Sequence, residues 1–353
     1  MSHLGKEREI SYTNPSLIVK VREKLIKFLS SVPDFSTEAC NVVLGSTALG
    51  EVDSSPTWVP RRVAVVDGGS NIVSLNAGYL GIVTSLGLVI EGNRVIERVI
   101  AEPEIIPPTP QELGDYETSD QIVSVIDKVR EAKVFETATE LLSRNPDLLI
   151  IDGPLIPYGA LGKLIVGSET ELKALQRYRR AVLTLHEVSL GSKVSVVGFV
   201  KRPRSRYLRK ILNIKSSFDH VTLSSILKEK EFYPNPPLEV PAVTEWFHEI
   251  SILKLIREVK PKFTFIRLTV SMPPFRVDFG HLTRNYMDIL NYLYSTRTRE
   301  GIPYVIMKAD EEVKITRKLL RELYEDALHS CIVKYLKQGF NTLIPVLPEF
   351  GGV

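Results

Sequence analysis

The chain has 353 residues, 44% of them hydrophobic and 25% charged, which is enough for a well-buried core and excludes wholesale disorder. Its 45 basic and 42 acidic side chains leave a formal charge of only +3, so a partner can be indicated only by local clustering. Two cysteines, Cys40 and Cys331, exclude a disulfide framework and a thiolate zinc site and suit a reducing cytoplasm; with six histidines, a metal site would be built from carboxylates and suit Mn²⁺ or Mg²⁺. No signal peptide or membrane span is expected, because the most apolar stretch, 63–90, is interrupted by Asp67, Asn71 and Asn76.

In chain order, residues 15–33 read as an amphipathic helix whose apolar stripe packs on the core. A β-branched strand, Val63-Ala-Val-Val-Asp67, then reaches an acid and two glycines that suggest a tight turn. Strands over 78–90 and 94–106 follow, joined by a hairpin turn at Glu91-Gly-Asn93. Ser119–Ser143 is the clearest helix. Asp147-Leu-Leu-Ile-Ile-Asp152-Gly-Pro154 is an apolar strand ending at a second acid before glycine, 168–190 a helix and 193–200 a fifth strand. The first three strands suit an antiparallel meander with the later ones added in parallel. Farther on, 263–272 alternates like a strand, 284–294 and 309–337 look helical, and the proline-rich 216–260 reads as an insertion. The expected architecture is α/β: a mixed sheet flanked by helices, with a helical segment over 1–60 and one domain over 61–353.

Asp67 and Asp152 sit at strand ends, where open α/β sheets bind ligands. Two carboxylates there repel unless a cation lies between them. Either acid alone is also an ordinary turn former. A third carboxylate follows from helix periodicity: taking Val129 as the centre of the apolar face, Glu136 and Glu140 fall on its stripe and Glu131 opposite. That ranks Glu136 first, Glu140 second and Glu131 third; the alternative is that the apolar face ends before 136 and both glutamates are solvated. The tract Lys201-Arg202-Pro-Arg204-Ser-Arg206-Tyr207-Leu-Arg209-Lys210 continues the fifth strand and suits phosphate contacts, with Tyr207 able to stack on a base.

Together, Val-Val-Asp67-Gly-Gly-Ser, a helix glutamate, Leu-Leu-Ile-Ile-Asp152-Gly-Pro-Leu, Val-Gly-Phe-Val-Lys201-Arg-Pro and Gly301-Ile-Pro-Tyr-Val-Ile-Met-Lys-Ala-Asp310 resemble the NurA nucleases of archaea, in order over most of the chain. The resemblance implies an RNase H-like core and Mn²⁺-dependent DNA cleavage, chiefly 5′ to 3′ exonuclease with single-strand endonuclease action. It also implies a homodimer docked on the hexameric ATPase HerA, resecting DNA ends for recombinational repair. By position, Asp67, Glu136, Asp152 and Asp310 would ligate two metals that bridge the scissile phosphate, with Lys201 neutralising transition-state charge. The family often carries a tyrosine and a histidine where this chain has Ile302 and Asp310. Two other readings compete: a NurA-like DNA-binding or ATPase-regulating subunit without turnover, and an actin-like or sugar-kinase-type ATP-binding enzyme using Asp67-Gly-Gly-Ser as a phosphate loop.

Overall fold

The computed structural model describes residues 15–30, 48–116, 118–155, 168–203, 205–206, 208, 218–240, 250–338 and 346–348. Ten strands form one sheet: β1 (Ala48–Glu51), β2 (Arg62–Leu75), β3 (Gly78–Glu91), β4 (Arg94–Ile100), β5 (Glu104–Ile106), β6 (Leu148–Asp152), β7 (Ser195–Val200), β8 (Glu231–Glu239), β9 (Lys262–Ile266) and β10 (Phe275–Phe279). Their order is β1-β8-β9-β10-β7-β6-β2-β3-β4, with β5 also on β3. The antiparallel meander β2-β3-β4 and the parallel β2-β6-β7 ribbon are as expected. Beyond β7 the sheet continues through four more antiparallel strands. β8 comes from the stretch read as an insertion and β1 from the segment read as helical, so both belong to the same sheet.

Among the described residues the helices are α1 (Pro15–Ser30), α2 (Ser119–Leu142), α3 (Glu169–Leu190), α4 (Asp219–Ser224), α5 (Ile250–Val259), α6 (Tyr286–Ser295), α7 (Tyr304–Val313) and α8 (Arg317–Gln338). None is long and apolar enough to cross a membrane. Alternation along the strands sorts them into two layers. Ala64, Val66, Leu149 and Ile151 join α2, α3 and α5 in one core, while Val63, Val65, Leu148, Ile150 and Phe199 join α6 and α7 in another. The predicted helix over 309–337 is in fact two: α7 ends at Val313, and Thr316 caps α8 by accepting the Leu319 amide at 3.1 Å.

α1 forms where periodicity placed it, but its stripe does not pack on the core: Leu25 is 54% and Phe28 67% exposed. Hydrophobic period shows that a helix has an apolar face, not what covers it. By contrast, Leu290, Leu293 and Tyr294 of α6 are buried in the core.

Candidate metal centre

β2 does not end at Asp67. It runs on through Gly68 and Gly69, paired with Ser85 and Thr84 of β3, as far as Leu75. The glycines serve close approach rather than a turn. A Cβ at Gly68 would lie 2.7 Å from Arg130 Cγ and 2.8 Å from Val134 Cγ2 of α2, and one at Gly69 would collide with the Val313 carbonyl of α7. The phosphate-loop reading therefore fails, since these residues extend a ladder instead of curling into a loop.

Strand parity assembles the site. The last parallel pair between β2 and β6 is Val66 with Ile151, so Asp67 and Asp152 follow side by side. Asp67 shares its face with Val65, Asp152 with Ile150, and Lys201 follows Phe199 by two; all three therefore belong to the side that α7 covers. α7 supplies Asp310. Oxygens of Asp67, Asp152 and Asp310 lie within 4.8 Å of one another. The Lys201 ammonium reaches into this cluster, 2.6 Å from Asp152 Oδ2 and 2.8 Å from Asp310 Oδ1. Gly68 N–H donates to Asp67 Oδ1 at 2.7 Å.

The electrostatics are those of a site short of positive charge. Burial, followed by the charge of Asp67, pushes the Asp152 carboxyl up to about 8, against the pull of Lys201. Burial also raises Asp67, with the Gly68 amide and Lys201 opposing. Burial works to lower Lys201, yet Asp152 and Asp310 outweigh it and hold the ammonium above its usual value. Three hard oxygen donors, two of them recessed and carrying this electrostatic cost, fit a divalent cation of the Mn²⁺ or Mg²⁺ kind. Asp310, half exposed, stands at the solvent side.

The helix glutamates lie differently from their predicted order. Glu136 faces outward and binds Arg177, whose Nη2 is 2.7 Å away and which also clamps Glu104. Glu140 pairs with Arg144 at 3.1 Å, also at the surface. None of the three helix glutamates belongs to the cluster of Asp67, Asp152 and Asp310. α2 buries two sides: Ile122, Val125, Ile126 and Val129 pack with Val83 and Ile106, whereas Val134, Phe135, Ala138, Leu141 and Leu142 pack on the sheet and α3. A stripe centred on Val129 therefore cannot be extended two turns farther. Glu131, ranked last, is the partly buried one. Burial raises its carboxyl, Arg130 opposes, and the charge of Asp67 adds to the rise. Gly68 marks where this helix crosses the strand beside Asp67.

Of the basic tract, Lys201 is in the cluster, Arg202 is exposed, and Arg206 lies 5.0 Å over the Phe218 ring. Arg204, Tyr207, Arg209 and Lys210 lie outside the described residues. Ile302 packs against the α6–α7 core just before α7.

A mixed sheet with acids on two neighbouring parallel strands and a third on a covering helix defines an RNase H-like fold with a carboxylate cluster able to hold a divalent cation. The family model for the NurA domain matches residues 61–315, and the chain belongs to the NurA family. Its fold is similar to that of the NurA nuclease from Sulfolobus solfataricus, with a TM-score of 0.63 at 14% identity, covering 90% of this chain and 97% of that one. A second NurA structure gives 0.56 at 12% identity over 90% and 97%. A NurA bound to dAMP and manganese gives 0.52 at 11% identity over 88% and 95%. Curated protein sequences give no significant match.

Proposed function

We propose that this protein is a metal-dependent deoxyribonuclease whose centre is Asp67, Asp152 and Asp310 with Lys201, completed by Glu131 from α2. The observation that carries this reading is the meeting of three carboxylates from two strands and a helix, with oxygens within 4.8 Å, around one lysine. A divalent cation held there would activate water and offset charge on the phosphate. The chain's own residues do the rest. Asp67 and Asp152 are fixed by adjacent strands and need little reorganisation to receive a cation. Lys201 exchanges its carboxylate partners for an anionic phosphate oxygen when substrate enters. Asp310 closes the solvent side, and Ile302 leaves hydroxyl chemistry to other groups.

Arg202, Arg204, Arg206, Tyr207, Arg209 and Lys210 extend the reading to a strand-tracking surface that begins at Lys201. Family membership supports the finer expectations: Mn²⁺ as the preferred ion in a two-metal site, 5′ to 3′ exonuclease with single-strand endonuclease action, a homodimer, and work with a HerA-type hexameric ATPase at DNA ends. The test is degradation of end-labelled single- and double-stranded DNA with Mn²⁺, Mg²⁺ or EDTA, beside Asp67→Asn. Metal-dependent loss of label that the variant lacks is expected. No cleavage, with or without a HerA-type ATPase, would favour the regulatory-subunit reading.

A further inference from the structure

Arg130 immediately precedes Glu131, and the chemistry above does not use it. Its stem lies over the strand one residue past Asp67, in the space that Gly68 leaves open: a Cβ there would be 2.7 Å from Arg130 Cγ and 3.2 Å from Cδ. The guanidinium, about one-third exposed, sits 3.0 Å from Glu131 Oε1 and 3.5 Å from Asp127 Oδ1. Burial works to lower its pKa, but Glu131, Asp127 and Asp67 outweigh it and hold the group above the usual arginine value. Arg130 thus pairs with two acids, one of which the proposed centre would commit to a metal.

We propose that Arg130 is a metal-gated phosphate clamp: it pairs with Glu131 while the carboxylate cluster holds no divalent cation, and turns to an anionic oxygen of the DNA backbone when the cation draws Glu131 towards Asp67. The inference rests on the metal-centre reading given above. Charge drives the exchange. With a divalent cation held at Asp67, the Glu131 carboxylate would be attracted to it and the guanidinium that held Glu131 repelled. Arg130 then keeps only Asp127, a longer pair with a largely exposed partner, which is a weak hold. A guanidinium fork left in that state matches phosphate oxygens in charge and shape. Because the stem is packed over Gly68, the terminal torsions alone need move, and the fork stays beside the strand that carries Asp67.

The test follows Mn²⁺ binding through loss of the free-ion EPR signal, and steady-state cleavage of a fluorescein-labelled single-stranded oligonucleotide across a salt series. Arg130→Gln should tighten Mn²⁺ threefold or more, because Glu131 is released. It should also raise KM at least fivefold with a smaller change in kcat, and flatten the dependence of KM on salt. Arg130→Lys should recover part of the KM. In a Glu131→Gln background the tightening should vanish, since the carboxylate to be released is gone. Two results would overturn the clamp. One is a lowered Tm with wild-type Mn²⁺ affinity and salt dependence, which means packing over Gly68 alone. The other is a tightening undiminished by Glu131→Gln, which means loss of a positive charge alone. Asp67→Asn separates this from the underlying reading: if it keeps wild-type Mn²⁺ binding, the metal centre itself is wrong, whatever Arg130 does.

Discussion

Asp152 and Lys201 show how a single position acquires its chemistry. An aspartate at the end of a buried strand pays for its burial with a carboxyl pushed to about 8; Lys201 opposes the rise at 2.6 Å, while the charges of Asp67 and Asp310 add to it. Residues selected for binding are commonly poor for stability, so Asp67→Asn should raise the Tm of the metal-free protein while removing Mn²⁺ binding and lowering cleavage at least ~10³-fold; thermal melts with and without EDTA check it. The glutamates give a sharper contrast. Glu131→Gln should cost cleavage roughly 100-fold or more, whereas Glu136→Gln should stay within about threefold of wild type and lose about 1 kcal/mol of stability with its Arg177 pair. Single-turnover rates beside urea unfolding read both effects. The reverse pattern would restore Glu136 to the site.

At the scale of elements, the site depends on two helices reaching one strand at two adjacent glycines. Gly68 admits α2 and Gly69 admits α7, whose Val313 carbonyl occupies the place of a Cβ. A backbone atom cannot yield as a side-chain end can. Gly69→Ala should therefore move α7, displace Asp310 and cost about 1–3 kcal/mol, seen as a lower Tm and weaker Mn²⁺ binding. On the other layer, His186 of α3 is fully buried, with Nε2 3.3 Å from the Leu155 carbonyl and Nδ1 unpartnered. Burial lowers its pKa from 6.5 to about 4. Between those values the unfolded chain takes up a proton that the folded one refuses, so stability falls as pH drops from 6.5 towards 4. The loss should total roughly 3 kcal/mol and be flat below. Unfolding measured at pH 7, 6 and 5 should show a slope that His186→Gln reduces; an equal slope in both proteins would refute the assignment.

Across the molecule, legibility followed locality. The meander, the parallel β6 and β7, and helices α2 and α3 could be read because each buries one or two faces with a regular period. β8 and β1 could not: β8 carries Pro234, Pro236 and Pro237, residues that argue against a strand in the middle of a sheet, and β1 is four residues long. Their places come from pairing with distant strands, which local pattern does not carry. The α7–α8 break was likewise hidden, because Lys314, Ile315 and Thr316 include neither glycine nor proline. Asp67 and Asp152 were legible as a pair, but as two strand ends rather than one end and one mid-strand position. Glu136 and Glu140 were placed on the apolar stripe because α2 is buried on more than one side.

The whole fold converges on the carboxylate cluster, so the most direct measurement is the anomalous difference density of a crystal soaked in Mn²⁺. The account predicts a peak within about 2.5 Å of oxygens of Asp67 and Asp152, with Lys201 shifted off Asp152 and the Glu131 carboxylate turned towards the ion. Mn²⁺ bound elsewhere, with these carboxylates still closed around Lys201 under conditions where the protein cleaves DNA, would contradict it.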